Sequence, residues 1–299
     1  MPLEPADRRR LSLVGSAGRR RTASWNGGSF VEIESITIHG GRGKDGTAEP
    51  VSEVTLRMGD IVSIVGPTGC GKTTLINDIE LYAQLNTPSC RRVLINGERP
   101  PEELSWDPSR NPIALISQHT NFLSDMPVAQ FLATHAAIRQ SADRDHIVER
   151  TVSFANQLTG EPLILTNPMT ELSGGQTRAL LIADAVVIGN SPVILLDELE
   201  NAGIHRTKAL DLLRGYRKVF IFVTHDPRIA LLSDYRIVMK QGAMQRVIMT
   251  EREERLVAED IKKIDDLLLS LRQRIREGDR LSEEVVREHL QNLGYMPAA

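Results

Sequence analysis

The chain has 299 residues, of which 41% are apolar, and its 36 basic and 39 acidic side chains leave a net charge near −3. It is long enough to bury a sizeable core, and its charge balance gives no reason to expect nucleic acid or an anionic membrane as its main partner. Only two cysteines occur, so thiols can build neither a disulfide framework nor a four-cysteine zinc site. The apolar runs are strand-sized, far shorter than the roughly 20 residues that cross a bilayer. We therefore expect a globular protein of a reducing compartment, without a transmembrane segment.

The first 29 residues differ in composition from the rest of the chain. Two arginine triplets, at 8–10 and 19–21, stand among Ser, Gly and Pro, and no apolar period runs through the segment. This composition is typical of a disordered basic tail. A twin-arginine export signal is the alternative, because Arg9 and Arg10 precede Leu11, but the second triplet interrupts the stretch before a long apolar region forms. We predict a disordered tail over residues 1–29.

From residue 30 to residue 250 the pattern indicates an α/β domain. Strand-like apolar runs occur at 31–38, 54–58, 61–65, 93–95, 113–116, 193–196 and 219–223. A helix is predicted over 72–85, and a glycine-rich flexible loop over 40–46. Short apolar runs with helices between them indicate a parallel sheet that is covered on both faces. The pattern turns helical at about 119–172, most clearly at 128–138 and 147–158, which predicts an inserted helical subdomain.

The last part of the chain, residues 251–299, is predicted to be a helical extension. Apolar residues recur there at spacings of 4, 3, 4, 3 and 4, as in a coiled-coil seam: Val257, Ile261, Ile264, Leu268, Leu271 and Ile275. Gly278 ends this helix, and Ser282 begins another short one. Two alternatives remain open, because fewer than about four heptads make a marginal coiled coil. The helix packs back on its own domain, or it pairs with a second chain.

One glycine-rich stretch fits the pattern G-x-x-x-x-G-K-[ST] and lies between a predicted strand and a predicted helix. With the threonine that follows, its residues are Gly66, Pro67, Thr68, Gly69, Cys70, Gly71, Lys72, Thr73 and Thr74. The glycines let backbone N–H groups surround a β-phosphate, and the helix N-terminus adds positive potential. Lys72 would reach the β- and γ-phosphates, and the Thr73 hydroxyl would ligate Mg²⁺. The stretch predicts a site for a nucleoside triphosphate with Mg²⁺.

Two adjacent carboxylates follow the apolar run at 193–196. The end of this buried strand would bring Asp197 and Glu198 to the same pocket as the phosphate loop. Asp197 would hold Mg²⁺ through water, while Glu198 stands where a base could polarise an attacking water. The pair predicts hydrolysis of the bound nucleotide.

A second glycine-containing motif decides between families. Ser173, Gly174, Gly175 and Gln176 precede a helix that is predicted from Thr177, and they form a second helix N-terminus able to bind phosphate. One fold does not need two such sites for one nucleotide. The pentapeptide 172–176 resembles the signature of the ATP-binding cassette (ABC) ATPases, and the resemblance covers about residues 31–247.

The resemblance implies a P-loop NTPase fold, in which a RecA-like parallel core carries an antiparallel β subdomain and the helical insertion. In this family the signature caps the γ-phosphate that is bound by the other subunit of a head-to-tail dimer. Gln118 matches the Q-loop glutamine, which touches Mg²⁺ and water, and His225 matches the switch histidine, which contacts the γ-phosphate. Glu198, His225 and Gln118 are therefore the expected catalytic residues, and Thr73, Gln118 and Asp197 the expected Mg²⁺ ligands.

Three positions depart from the family pattern. After Glu198 the family usually shows Pro-Thr-Ser-Ala-Leu-Asp, but Ile204 occupies the position of the D-loop aspartate here. Asp184 stands where transporter subunits usually carry an arginine. At the adenine-stacking position no tyrosine is found, and His39 is the nearest ring.

The resemblance implies an ATPase that uses ATP and Mg²⁺ and works as a homodimer, or as a heterodimer with another ABC subunit. We expect the energising subunit of a transporter, held at the inner face of the membrane from the cytoplasm by a separate permease. A soluble ATPase that remodels or activates a protein complex is the alternative, and a regulatory binder with little turnover is a third. Nucleic acid is not an expected partner. The transported substrate would lie on the partner and has no signature in this sequence.

Overall fold

The computed structural model describes residues 23–25, 28–30, 32–106, 111–117, 120, 122, 124–139, 144–197 and 206–292. The chain divides into two compact units, Met1–Glu32 and Ile33–Ala299. In the first unit, strand β1 (Ala23–Trp25) pairs antiparallel with β2 (Gly28–Phe30). Except for Phe30, this hairpin lies within the segment predicted to be a disordered tail, and the Asn-Gly pair at 26–27 is a hairpin signal that the composition argument overlooked. For residues 1–22, which lie outside the described residues, disorder stays a prediction.

The second unit combines strands and helices along its whole length. Its strands are β3 (Ser35–His39), β4 (Glu53–Arg57), β5 (Ile61–Val65), β6 (Arg92–Ile95), β7 (Ile113–Ile116), β8 (Val193–Asp197), β9 (Val219–Val223), β10 (Tyr235–Lys240) and β11 (Ala243–Met249). Its helices are α1 (Lys72–Glu80), α2 (Glu103–Trp106), α3 (Val128–Ile138), α4 (Arg144–Leu158), α5 (Gly174–Val187), α6 (Arg206–Arg214), α7 (Pro227–Leu232), α8 (Arg252–Arg276) and α9 (Glu283–Asn292). Each of the seven predicted strand runs overlaps an observed strand.

The main sheet has the strand order β11–β10–β5–β9–β8–β7. All neighbouring strands in it run parallel except β11, which pairs antiparallel with β10. The central strands β5, β8 and β9 are buried along nearly their whole length, as expected for a parallel sheet covered on both faces. A separate antiparallel sheet has the order β4–β3–β6. The predicted α/β core and antiparallel sheet are both present.

The helical block lies between β7 and β8 in the chain. Helices α3 and α4 occur where the sequence predicted them, and α5 packs against α4. Leu132, Ala155 and Leu180, from these three helices, are fully buried in one core cluster. The block therefore packs as one body around a shared apolar centre.

Helix α1 is shorter than the predicted helix over 72–85, and its last residue is Glu80. The chain leaves the helix because Tyr82 adopts a positive φ of 51° and the N–H of Ala83 donates to the carbonyl of Asp78 at 2.8 Å. The side chains of Tyr82 and Ala83 are buried in the core, and the Tyr82 hydroxyl donates to Asn111 Oδ1 at 2.7 Å. Tertiary packing thus overrides the helical pattern here.

The C-terminal helix α8 packs on α7 within the second unit. Asp265 of α8 pairs with Arg228 of α7 at 3.4 Å, and Glu254 pairs with Arg236 of β10. Gly278, with a φ of 89°, follows the helix at the position where the sequence predicted its end. The boundary of a separate extension at residue 251 stays a prediction. Among the described residues, no helix has both the length and the apolar character that crossing a membrane requires.

Candidate functional site

The predicted site residues of three strands emerge at one edge of the main sheet. In the register of the sheet, Ile64 of β5 lies opposite Val223 of β9, and Val223 lies opposite Asp197 of β8. The phosphate loop follows β5 directly, and His225 comes two residues after β9. Because the carboxyl ends of parallel strands meet at the same edge, these groups lie around one crevice.

The phosphate loop fits tightly against the turn between β10 and β11. A Cβ atom at Gly66 would lie 2.4 Å from the carbonyl oxygen of Met239, and one at Gly71 would lie 2.9 Å from Cα of Gly242. Both glycines also have positive φ angles, of 153° and 99°. The N–H of Gly242 donates to the carbonyl of Cys70 at 2.8 Å. Gly66 and Gly71 are therefore required by the close approach of β10 and the turn after it, as well as by the curvature of the loop itself.

The ammonium group of Lys72 is buried under the phosphate loop. Its Nζ donates to the carbonyl oxygens of Gly66 at 2.9 Å and Pro67 at 3.2 Å, and lies 3.2 Å from Nε2 of His225. An ammonium group has only donors, so Nε2 is the acceptor in this contact. Among the described residues, the hydrogen-bond acceptors of Lys72 are all neutral. A buried cation without a carboxylate partner is suited to an anion such as phosphate.

The first turn of α1 presents groups suited to phosphate and metal. Its N-cap residue, Gly71, has no side chain to cap the helix, so the N-terminal N–H groups remain available to a ligand. The side chains of Thr73 and Thr74 are exposed in this turn, and Asp197 is half-buried at the end of β8. A hydroxyl and a carboxylate are oxygen ligands of the kind that Mg²⁺ prefers.

Within the described part of the chain, no group of three or more His, Cys, Asp or Glu side chains could hold a metal ion. A magnesium ion at Thr73 and Asp197 would thus complete its coordination with water and nucleotide phosphates, as Mg²⁺ usually does. Gln118 and Glu198, predicted as ligand and base, lie outside the described residues, as does the unusual segment at 199–205. Next to Gln118, the hydroxyl of Ser117 lies 2.9 Å from that of Thr120.

The signature helix begins earlier than predicted. Helix α5 starts at Gly174 instead of Thr177, because Ser173 and Gln176 form a reciprocal capping box. Ser173 Oγ accepts from the Gln176 N–H at 3.3 Å, and Gln176 Oε1 accepts from the Ser173 N–H at 3.0 Å. A Cβ atom at Gly174 would meet nothing within 4 Å. The start of α5 is therefore open at Gly174, which leaves space for a ligand or a second subunit.

A carboxylate contacts the signature serine. Ser173 Oγ also donates to Glu161 Oε2 at 3.2 Å, and Gln176 Nε2 donates to the Pro162 carbonyl at 3.1 Å. The sequence analysis did not single out Glu161, which stands in the connection between α4 and α5. These contacts hold the connection against the N-terminus of α5.

Lys44 is a second cation at the phosphate loop that sequence reasoning missed. Its Nζ donates to the carbonyl of Gly69 at 2.8 Å, and its own N–H donates to the carbonyl of Gln241 at 2.8 Å. The sequence predicted only a flexible glycine-rich loop over 40–46, and no local pattern indicates which surface such a loop contacts. His39, considered for adenine stacking, lies 3.5 Å from Glu53 Oε2 on the neighbouring strand β4.

A buried ionic cluster supports the phosphate loop from behind. Arg91 is completely buried; it pairs with Glu49, and its Nη1 lies 2.8 Å from Asp78 Oδ2. Arg91 Nη2 also donates to the Gly242 carbonyl at 2.6 Å, and Glu49 Oε1 accepts from the Met244 N–H at 3.0 Å. The cluster thereby ties α1 and the chain before β6 to the turn on which the loop rests.

Asp184, which departs from the family pattern, has a partner in this chain. Its Oδ1 lies 2.7 Å from Nδ1 of His135, which joins α5 to α3 within the helical block. Arg139 Nε lies 3.4 Å from the other ring nitrogen of His135. The aspartate therefore stabilises the packing of the signature helix where an arginine could not accept this hydrogen bond.

Comparison with protein families gives a match to the family described as ABC transporter over residues 51–201. An uncharacterized ABC transporter ATP-binding protein of Methanocaldococcus jannaschii is 51% identical over 254 residues, which cover 85% of this chain and 97% of that protein. The spermidine/putrescine import ATP-binding protein PotA of Bacteroides fragilis is 29% identical and is matched over 73% of this chain. The match spans 46% of the length of PotA.

Solved structures show the same fold. The cbiO1 protein of Clostridium perfringens, part of an ABC transporter complex, has a TM-score of 0.56 at 23% identity over 81% of this chain and 97% of its own. An ATP-binding cassette in its ADP conformation has a TM-score of 0.54 at 22% identity over 78% of this chain and 98% of its own. These similarities confirm the predicted P-loop NTPase fold.

Proposed function

The chain belongs to the ABC transporter family and is an ATP-binding ATPase of that family, and from this premise we propose that it energises a transporter whose membrane-spanning subunits are separate chains. The position of Lys72 between the phosphate-loop carbonyls and His225 carries the nucleotide-binding part of the proposal. The names of its relatives, as ATP-binding proteins of ABC transporters, support the transport role. The protein works at the cytoplasmic face of the membrane, where its partner holds it.

Nucleotide binding takes place at the phosphate loop. The triphosphate replaces the carbonyl oxygens of Gly66 and Pro67 as the partner of the Lys72 ammonium, while the N–H groups of the first turn of α1 surround the β-phosphate. Thr73, Asp197 and Gln118 would hold Mg²⁺ there. When bound, the metal ion neutralises charge that develops on the phosphate oxygens.

Hydrolysis uses groups at the carboxyl edge of the sheet. Glu198, the residue after β8, polarises the attacking water, and His225 contacts the γ-phosphate once the phosphate replaces it as a partner of the Lys72 ammonium. The distance of 3.2 Å between Lys72 and His225 supports this role, because both side chains then lie within reach of the same phosphate. The N–H groups of the first turn of α1 are in place before the reaction begins, and such preorganised donors lower the barrier.

A second subunit completes the site in a head-to-tail dimer. The open first turn of α5 and the Ser173 hydroxyl are exposed, and they cap the γ-phosphate held by the partner's phosphate loop. Closure excludes water and adds N–H donors around the reacting group. The partner is a second copy of this chain or another subunit of the same family.

Two variants test nucleotide binding and the composite site. Lys72→Ala is expected to lose ATP binding, because the buried cation that neutralises the phosphates is removed; unchanged ATP binding would contradict the assignment of the phosphate loop. Glu198→Gln is expected to bind ATP without hydrolysing it and to elute as a dimer in gel filtration with ATP and Mg²⁺. If it elutes as it does without nucleotide, the chain alone does not form the head-to-tail dimer.

The partner can be identified with the same trapped variant. Tagged Glu198→Gln protein is purified with ATP from detergent-solubilised cells, and Lys72→Ala protein, which cannot close on nucleotide, serves as the matched control. Recovery of a multi-span membrane protein with the first variant only is the expected result. Recovery of a soluble enzyme in its place would overturn the transporter proposal in favour of an ATP-driven remodelling protein.

A further inference from the structure

Helix α8 carries an exposed apolar stripe, here called the α8 seam. The seam consists of Val257, Ile261, Ile264, Leu268, Leu271 and Ile275. Four of these side chains are exposed, at fractions of 49% for Val257, 43% for Ile264, 45% for Leu268 and 59% for Ile275. The first and last members are about 27 Å apart along the helix. The helix also exposes Leu256 and Leu269 outside the stripe. A contiguous apolar stripe of this length indicates an interaction surface.

The helix is fixed to its own domain through a different face. Ala258 is buried, Asp265 pairs with Arg228, and Glu254 pairs with Arg236. These residues point about 60° to 100° around the helix from the middle of the seam, by the angular step of an α-helix. The seam therefore stays accessible while the helix is held rigidly in place.

We propose that the α8 seam binds the α8 seam of a second copy of this chain, in antiparallel orientation. The seam fills the a and d positions of a heptad, with Ile261, Leu268 and Ile275 at a. In an antiparallel pair each a residue faces a d residue of the other chain. One register satisfies this rule for all members at once: Val257 faces Ile275, Ile261 faces Leu271, and Ile264 faces Leu268.

The charges beside the seam fit the same register. Asp260 and Arg274 occupy g positions, and antiparallel pairing brings Asp260 of each copy next to Arg274 of the other. Within one chain these groups pair with Lys263 at 2.8 Å and with Asp279 at 3.2 Å, both on the surface, where such pairs exchange readily. A parallel pair would place Asp260 beside Asp265 of the other copy, whereas the antiparallel pair places Asp265 beside Asp265 of the other copy, and each of these carboxylates is paired with Arg228 of its own chain at 3.4 Å. The pairing of Asp260 with Arg274 is therefore what favours the antiparallel arrangement.

Such a dimer does not depend on nucleotide, and it is distinct from the head-to-tail dimer proposed above. The seam lies on α8, away from the phosphate loop and the signature motif in the sequence. Two copies joined at α8 would stay together while their nucleotide sites open and close.

Sedimentation equilibrium of the full chain without nucleotide tests this proposal. The wild-type chain is expected to be in monomer–dimer equilibrium, and Leu268→Glu to raise the dissociation constant by at least about 100-fold, because it places a carboxylate in both central layers. The matched control is Leu256→Glu, on the same helix but off the seam and 61% exposed. The control is expected to keep the dissociation constant within about threefold of the wild type.

A charge exchange tests the orientation. Asp260→Arg is expected to weaken the dimer, because it faces Arg274 of the other copy, and the double variant Asp260→Arg with Arg274→Asp is expected to restore it. A tighter dimer for Asp260→Arg alone would overturn the antiparallel pairing. A wild-type chain that is monomeric at every concentration tested overturns the proposal. In that case the α8 seam would be covered by an end segment of the same chain or by another protein. Circular dichroism of each variant verifies that the helices are intact.

Discussion

Nζ of Lys72 lies 3.2 Å from Nε2 of His225, although the two residues are 153 positions apart in the chain. The lysine comes from the helix after β5, and the histidine from the segment after the neighbouring strand β9. Their contact joins the group proposed to bind the phosphates to the group proposed to contact the γ-phosphate. Removing the histidine should therefore impair turnover more than binding.

His225→Ala is expected to lower kcat for ATP hydrolysis by about 100-fold, the size of effect typical of a group that donates or accepts a proton at the reacting centre. ATP affinity is expected to change little, because Lys72 and the backbone donors remain. Steady-state kinetics together with titration calorimetry separates the two effects. His146→Ala, at an exposed position on α4, is the control and should behave as the wild type. Equal losses in kcat and affinity would contradict this division of roles.

Lys44→Met is expected to weaken ATP binding by about threefold to tenfold, because one charge-assisted hydrogen bond to the phosphate loop is lost at an exposed position. The bond in question is the 2.8 Å contact from Lys44 Nζ to the Gly69 carbonyl. Lys240→Met, also exposed and near the β10–β11 turn, removes the same charge without that contact. Similar ATP affinities for the Lys44→Met and Lys240→Met variants would show that Lys44 contributes only its positive charge and not its hydrogen bond to Gly69.

Arg91→Met is expected to lower the free energy of unfolding by about 3–5 kcal/mol, because it leaves Glu49 and Asp78 buried without their cation. The neighbouring Arg92→Met, at an exposed position, is expected to stay within about 0.5 kcal/mol of the wild type. Urea denaturation followed by circular dichroism gives both values. Equal stabilities would mean that the cluster is open to water in solution.

The burial of Lys218 predicts that the free energy of unfolding depends on pH. Burial lowers the pKa of this lysine from 10.5 to about 8, so between these values the unfolded chain binds more protons than the folded one. The free energy of unfolding contributed by this group therefore rises as the pH increases from about 8 toward 10, and is constant at lower pH. Urea denaturation at pH values from about 7 to about 9.5 should show a steeper rise for the wild type than for Lys218→Met. Parallel curves would contradict the burial of the charge.

The sequence correctly predicted those parts of the site that depend on short-range sequence patterns, such as an apolar run followed by polar residues. The phosphate loop, Asp197 and His225 each follow a short, strongly apolar run, and such runs become strands that end at one edge of a parallel sheet. The motif at 172–176 was recognisable by its resemblance to the ABC signature, but the capping box between Ser173 and Gln176, which places the start of α5 at Gly174, was not predicted.

The remaining features arise from contacts between distant segments. Lys44 and Gly69 are 25 residues apart, Arg91 and Glu49 are 42 apart, and Arg91 and Gly242 are 151 apart. No periodicity carries this information, because each contact depends on how the two sheets and the turn between β10 and β11 pack. For the same reason, the apolar pattern that predicted a helix as far as residue 85 could not show that Tyr82 is buried in the core and that the helix ends before it.

The turn behind the phosphate loop also determines when the loop can form during synthesis. Residues 66–73 leave the ribosome long before Gly242, whose N–H and carbonyl anchor Cys70 and Arg91, and before Met244, whose N–H binds Glu49. A nascent chain that ends before β10 therefore contains the complete nucleotide motif without the surface that shapes it. Contacts of such long sequence separation form late in folding. Competence to bind ATP should thus appear abruptly, when the last two strands of the sheet have been made.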